Sequence, residues 1–533
     1  MNIKRILIMV MCALMAISIT SCLQSNDNIT PTTTSPTTTQ PTIETPTQIP
    51  TPEKIGNMTF GTAFYKAQIG SSIYNVDITD ATDYEILAAK CLQGLVAREQ
   101  SAQIYLSEDE NDNFWLSRFR DQYGFIVKNI TLTDMFSQFG GVVENIVVYN
   151  SENENSKMSA VYTASLNNGV AVAQEYASNF AVYFKNAVVV DTQATVSTSD
   201  ECVDNALSTA QGMYVASVDG NCEFIDYLYA VKAPIVCVDD DNVSALEKLL
   251  KSDKFERPAV LFCDEDEHLK LASQNGFGTL NIDGFSNATL FSSFTNADAS
   301  KGAEKGASRY SEEIENYVSI EIVTSESDFA DSFSYLLKNS RRGSTAITLN
   351  ISPAIYELAP PVAAWYQAGR RAATSFSAKD IGYMNVDISE MNEEYLKTFF
   401  ERSKPFVNGF GFSIADVNVS ADELAILSEN LPGITPISSE DTAVTVINID
   451  NIYSFSDFKL PQAQLPFYCV RVNAEDITTS TFQQLENLVV HFQEKNDNTE
   501  FILCEDLLAT IKEFELETQT TTTTTTATSA AQQ

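Results

Sequence analysis

The sequence predicts an α/β protein in two unequal parts, and three observations carry that prediction. Short apolar runs such as "ENIVVYN", "NAVVV", "APIVCVDD" and "PAVLFCDED" are continuous rather than alternating, the pattern of parallel strands covered on both faces. Between such runs lie segments of helical period, and the two types alternate along the chain. In the second half, seven strand-like runs are mostly followed by helical segments, which predicts an irregular, seven-stranded (β/α) barrel-like domain. An open, doubly wound sheet has the same periodicity and stays open as the alternative.

The chain begins with Lys4 and Arg5, an apolar run from Ile6 to Ile19, and "ITSC" at 19–22. A charged start, a short apolar stretch and small residues at the end form a secretory signal, too short to span a bilayer. Ile19-Thr20-Ser21-Cys22 resembles a bacterial lipobox, which implies cleavage before Cys22 and its lipidation. Residues 23–57 are rich in Thr and Pro and lack the apolar content to bury a core, so they predict a disordered stalk. The expected product is an extracytoplasmic protein held to the bacterial membrane through Cys22 and exposed on that stalk.

Residues 58–312 form the predicted N-terminal α/β region. "SIYNVDI" reads as a strand, and "TDYEILAAKCLQGLVARE" as a helix with apolar residues on one face, acids early and Arg98 late. "AQIYLS" is the next strand, and the four runs quoted above continue the pattern, with "NVSALEKLLKS" helical among them. Residues 313–516 form the predicted barrel-like domain, with strands "VSIEIV", "TAITLNI", "IGYMNVDI", "GFGFSI", "AVTVINI", "FYCVRVN" and "FILCED". Residues 517–533 are Thr-rich and predict a disordered tail.

Charge narrows the function. The 533 residues hold 71 Asp and Glu against 33 Lys and Arg, a formal net charge of −38. Nucleic-acid binding needs a basic surface, so it is excluded as an expectation. The nine cysteines do not form a disulfide framework in a chain this long. Cys237, Cys263, Cys469 and Cys504 sit in apolar runs as small buried hydrophobes, whereas Cys202 and Cys222 could bridge a loop. No Cys/His cluster predicts a metal, "DDDN" and "DEDE" lack the alternation of a calcium loop, and no cofactor motif appears. The two histidines, His268 and His491, lie in helical segments as packing or surface residues.

Several stretches, in a shared order, resemble the GxGYxYVP family, which is grouped with glycoside hydrolases. They include "LQGLVAREQSAQIYLSEDENDNFWLSRFRDQYG" (92–124), "FIDYLYAVKAPIV" (224–236), "YVSIEIVTSESDF" (317–329) and "RGSTAITLNISPAIYELAPPVAAWY" (342–366). "AKDIGYMNV" (378–386) falls on the name-giving motif: Asp380 replaces its first glycine, Gly382 and Tyr383 remain, and Asn385 and Val386 stand at its closing positions. The resemblance implies a carbohydrate ligand and a site at the C-terminal ends of the barrel strands. Asp328 and Glu326, on the family's acidic motif, are the implied catalytic carboxyls. Gly382, Tyr383, Glu475 and Glu505 are the implied substrate-binding residues. Because glycoside hydrolysis needs two carboxyls and the motifs are altered here, the expectation is carbohydrate binding with turnover lost or weak. A structural or adhesive surface lipoprotein is the alternative.

Overall fold

The computed structural model describes residues 54–192, 196–219, 221–238, 242–263, 268–295, 306–323, 345–369, 373–410, 421–431, 444–449, 460–473, 486–487, 489–490 and 498–530. Cys22, residues 23–53 of the expected stalk, Glu326, Asp328 and Glu475 lie outside the described residues, whereas at the stalk's end Asn57 N–H donates to the Arg98 carbonyl at 2.9 Å. Glu53–Leu460 and Leu465–Gln533 together make one compact unit.

A short antiparallel hairpin, β1 (Thr59–Phe60) and β2 (Tyr65–Lys66), precedes four parallel sheets. β3 (Ser72–Asp77), β4 (Gln103–Ser107) and β5 (Ile126–Ile130) form the first, in the order β4-β3-β5. β6 (Asn145–Tyr149), β7 (Gly169–Ala173) and β8 (Val188–Asp191) form the second, in the order β7-β6-β8. β9 (Gly212–Ser217), β10 (Ile235–Val236), β11 (Phe255–Cys263) and β12 (Phe277–Asn281) form the third, in the order β10-β9-β11-β12. The expected α/β organisation is present. One expectation fails locally: β8, read as doubly covered, is an edge strand whose Val188 is 63% exposed. An apolar run reports hydrophobicity, not which neighbour arrives to cover it.

The helix Asp83–Glu99 forms as its sequence dictates. Thr82 and Glu85 close a capping box, and Arg98 sits in the last turn. Its buried stretch from Leu87 to Arg98 includes Cys91, Leu92 and Leu95. Arg98 is fully buried, donating to the Ser165 and Tyr229 carbonyls and to Asn168 Oδ1, and so links this helix to the second sheet.

The fourth sheet holds β13 (Asn316–Val323), β14 (Ile347–Ile351), β15 (Thr374–Ala378), β16 (Thr445–Ile449), β17 (Phe467–Asn473) and β18 (Thr499–Ile502). Its order is β15-β14-β13-β17-β16, and β18 pairs with the first half of β13. Among the described residues β15 and β16 are free edges, so the expected barrel is not closed. Of the expected fourth strand, 409–414, Gly409 and Phe410 end the helix Glu393–Phe410, and 411–414 lie outside the described residues. The expected third strand, "IGYMNVDI", is corrected: β15 lies just upstream, in "TSFSA". Residues 381–388 form an irregular segment whose only bridge pairs Asn385 with Thr279 of β12.

Two further expectations are corrected. Cys202 and Cys222 are both free and buried, with Cys202 Sγ 3.8 Å from the Ile235 carbonyl oxygen. The Thr-rich segment from 517, expected to be disordered, continues a helix that runs from Cys504 to Ala530. The first turns of this helix pack through Cys504, Leu507 and Ile511.

Candidate functional site

The fourth sheet carries an unusual buried face. Register places Tyr317, Ser319 and Glu321 of β13 opposite Phe467, Cys469 and Arg471 of β17. It also places Thr348 and Asn350 of β14 opposite Ser375 and Ser377 of β15, and Glu321 opposite Thr348. Because strand side chains alternate, these residues share one side of the sheet. Toward the strand starts this face is apolar, where Tyr317, Phe467 and Cys469 pack with Leu507 and Ile511 of the last helix. Toward the strand ends it is polar.

Glu321 is the centre of the polar part and only 1% exposed. Its Oε2 takes the Arg471 Nε at 2.9 Å. Its Oε1 accepts from the Ser377 hydroxyl and from Asn350 Nδ2, which also donates to Ser377 Oγ. A buried charge of this kind is tolerated only when paired and hydrogen-bonded, and both conditions are met. Next to it, the Ser352 hydroxyl donates to Asp380 Oδ2 at 2.6 Å, with both side chains nearly buried. Ser352 and Asp380 follow β14 and β15, so the cluster lies at the carboxyl edge of the sheet.

That edge has a topological reason to be a site. From β13 the chain moves out through β14 to β15, whereas β17 and β16 occupy the other side. In parallel sheets a crevice opens at the carboxyl ends where neighbouring strands lead their connections to opposite sides. The Glu321–Arg471 pair spans β13 and β17 at this switch point.

The residues expected from sequence meet this site unequally. Glu326 and Asp328 follow β13, and Glu475 follows β17, all outside the described residues. Glu505, partly buried, lies in the first turn of the last helix, whose Cys504 N–H reaches Thr348 Oγ1 at 3.2 Å. Gly382 and Tyr383, expected at a strand end, lie instead in the irregular segment after β15. A Cβ on Gly382 would run into the Ser403 side chain and lie 2.9 Å from Phe399 Cζ, so this glycine serves close packing against the helix Glu393–Phe410. Tyr383 is fully buried among Phe64, Phe399 and Phe406, with ring centroids 5.5–5.9 Å away, and offers no ring face to a sugar. Burial pushes its phenol up to about 12, and the Arg402 charge opposes that rise.

Sequence reasoning missed Glu321, Asn350, Ser377 and Arg471. The signal was present: "VSIEIV", "ITLNI", "TSFSA" and "CVRVN" each place polar residues at every second position. It also missed Glu357, which is buried beside the β1–β2 hairpin and accepts the N–H groups of Thr62, Ala63 and Phe64 at 2.7–3.1 Å. Among the described residues no group of three His, Cys, Asp or Glu is arranged to hold a metal.

The fold and this edge define a class, the parallel α/β proteins with a buried polar cluster at a sheet switch point. Particular comparisons sharpen it. Residues 72–140 match the family model described as GxGYxYP_N 1st domain. A crystal structure from Bacteroides thetaiotaomicron VPI-5482, described as a "putative hydrolase", is similar with a TM-score of 0.74 at 18% sequence identity. The likeness covers 86% of this chain and 98% of that one. At this identity the likeness shows the fold. No curated protein matches the sequence. The matched family segment covers the first sheet and ends well before the glycine-tyrosine motif at 378–386.

Proposed function

We propose that this chain is a GxGYxYP-type cell-surface lipoprotein that binds carbohydrate on a hydrolase-like fold, with glycosidic turnover weak or absent. The observation that carries the reading is the buried polar cluster at the switch point, where Asn350, Ser377 and Arg471 hold Glu321. Such a cluster orients side chains for a ligand resting above it and costs stability unless fully paired. Both Glu321 oxygens are taken by protein partners, Oε2 by Arg471 and Oε1 by Ser377 and Asn350, which argues against Glu321 as one of the two carboxyls that glycoside hydrolysis needs. Asp328, two positions on from Glu326 in the sequence after β13, is the acid that the family resemblance singles out.

The test measures binding and hydrolysis on a panel of plant, host and bacterial glycans, with Asp328→Asn and Asp380→Asn beside the parent. The reading expects binding to one glycan class, weakened by a variant, with no more than trace turnover. Robust turnover abolished by Asp328→Asn would restore an active hydrolase. Absence of binding across the panel would favour the structural or adhesive protein. Lipid attachment is tested separately by Cys22→Ser and cell fractionation, where a variant still in the membrane fraction would overturn the anchor.

A further inference from the structure

On the helix Glu110–Asp121, which packs beside the first sheet, Phe114, Trp115 and Arg118 fall on one face at helical spacing. The chain's other tryptophan, Trp365 of the helix Pro360–Gly369, meets them there. The two indoles are 5.6 Å apart at their centroids, and Phe114 lies 5.2 Å from Trp365. The Arg118 guanidinium carbon is 5.4 Å from the Phe114 ring, 5.7 Å from Trp115 and 5.4 Å from Trp365. Each ring attracts the cation, so the guanidinium is held in place before any ligand arrives.

The charge of this group is unanswered by the protein. With 71 acids against 33 bases, a cation on this chain meets a carboxylate easily. Arg120, two residues on, pairs with Asp121 at 2.7 Å although both are exposed. Arg118 has no ion pair and no side-chain hydrogen bond among the described residues, and its Nε is buried without a partner. Burial pulls its pKa down, and the group that opposes this is the Tyr123 phenol rather than a carboxylate.

Trp115 supplies an independent observation. It is 1% exposed, and its indole Nε1–H is also buried without a partner. Buried donors are nearly always met in folded proteins, so two unmet donors in one cluster point to an acceptor from outside the chain.

We propose that Arg118 and the Trp115 indole N–H bind the carboxylate of a small organic acid with an apolar body. Both unmet groups are donors and one is cationic, so the complement is an anionic acceptor. A planar guanidinium matches a planar carboxylate in shape. The guanidinium carbon and the Trp115 ring centroid are 5.7 Å apart, a span that one carboxylate bridges with an oxygen to each donor. The net charge of −38 repels polyanions from the surface as a whole, which favours a ligand of single charge. Phe114 and Trp365 are the half-buried rings of the cluster. They turn aside to admit the acid and then cover its apolar part, a side-chain adjustment common on binding. The site is independent of the carbohydrate reading, since it uses none of the residues around Glu321.

Intrinsic tryptophan fluorescence reads this site directly, because both tryptophans of the chain belong to it. The purified full-length protein is titrated at constant ionic strength with cyclohexanecarboxylate, with its neutral carboxamide and with inorganic phosphate, and each titration is repeated by calorimetry. The carboxylate should bind and shift the emission. The carboxamide, which keeps the ring but loses the charge, should bind at least tenfold more weakly. Arg118→Gln should weaken carboxylate binding about tenfold or more, as loss of a charge-assisted contact does, and Arg118→Lys, which keeps the charge but loses the fork, by less. Trp115→Phe removes the indole donor but keeps a ring, and should weaken binding about two- to tenfold by calorimetry. Circular dichroism and the melting temperature establish that each variant is folded; should Arg118→Gln fail to fold, Arg118→Lys carries the test. Three results would overturn the proposal: no binding of the carboxylate, binding of the carboxamide or of phosphate as tight as that of the carboxylate, or carboxylate binding unchanged in folded variants of Arg118 or in Trp115→Phe.

Discussion

Asp226 shows how much one side chain can decide. It is fully buried, and its Oδ2 accepts from Thr289 N and Oγ1, while Oδ1 has no well-formed hydrogen bond among the described residues. Burial is the main cause that pushes its carboxyl from 3.8 to about 6. A raised acid binds its proton more tightly when folded, so it costs nothing below the unfolded pKa. The cost grows between about pH 4 and 6 and is complete above that. Asp226→Asn mimics the protonated form, so at pH 7 it should be more stable than the parent by on the order of 3 kcal/mol. The gain should vanish below pH 4, and urea melts across this range measure it; a variant less stable than the parent at pH 7 would contradict the argument. Gly382 decides in the opposite direction. A methyl group there meets Ser403 and Phe399, so Gly382→Ala should cost about 1–3 kcal/mol in chemical denaturation. If Gly382 instead served a ligand, the variant would keep its stability and lose binding. "AKDIGYMNV" looked like a site because a glycine-tyrosine pair has the same letters whether the glycine admits a ligand or a neighbouring helix. Only the position of Ser403 separates the two.

Among the elements, hairpin β1–β2 depends on a carboxylate from elsewhere in the chain, and strand β13 on a guanidinium. Glu357, in the short helix Ile355–Leu358, gathers three consecutive backbone N–H groups between β1 and β2. A hairpin this short is not stable alone, so the carboxylate holds it down. Glu357→Gln keeps the shape and loses the charge; it should cost about 1.5–3 kcal/mol and open residues 59–66 to limited proteolysis. Unchanged protection of that segment would show that packing alone holds it. Strand β13 depends on Arg471 in the same way. Glu321→Gln removes the charge that faces the Arg471 guanidinium and should cost about 3–5 kcal/mol in equilibrium unfolding. A cost below about 1 kcal/mol would mean that water already screens the pair. Local sequence made most strands legible, including "SIYNVDI", "VSIEIV" and "FYCVRVN", because continuous apolar residues and β-branching act within a few positions. It misplaced the strand before Gly382, because "TSFSA" is small and polar. That strand is buried by its neighbours rather than by its own hydrophobicity.

At the scale of the whole molecule, charge is the dominant sequence-level property. A formal net charge of −38 makes the folded surface repel itself, and salt relieves that repulsion. Raising ionic strength from about 0.01 to 0.15 M shortens the screening length from about 30 to 8 Å, so the melting temperature should rise over that range. A fall would mean that attractive pairs such as Lys248–Asp204 outweigh the repulsion. Composition and periodicity by themselves determined the α/β class, the acidic surface, the main helices and the positions of most strands, because each depends on residues close together in the chain. Which strands lie side by side was decided only in three dimensions. Asn350 meets Ser377 across 27 residues and Arg471 meets Glu321 across 150. Likewise, β3, β4, β9 and β12 bring their ends to one cavity from stretches more than a hundred residues apart. A parallel register is set by the packing of the whole sheet and its crossover helices, so no local pattern encodes it. The polar cluster exists only once that packing is complete.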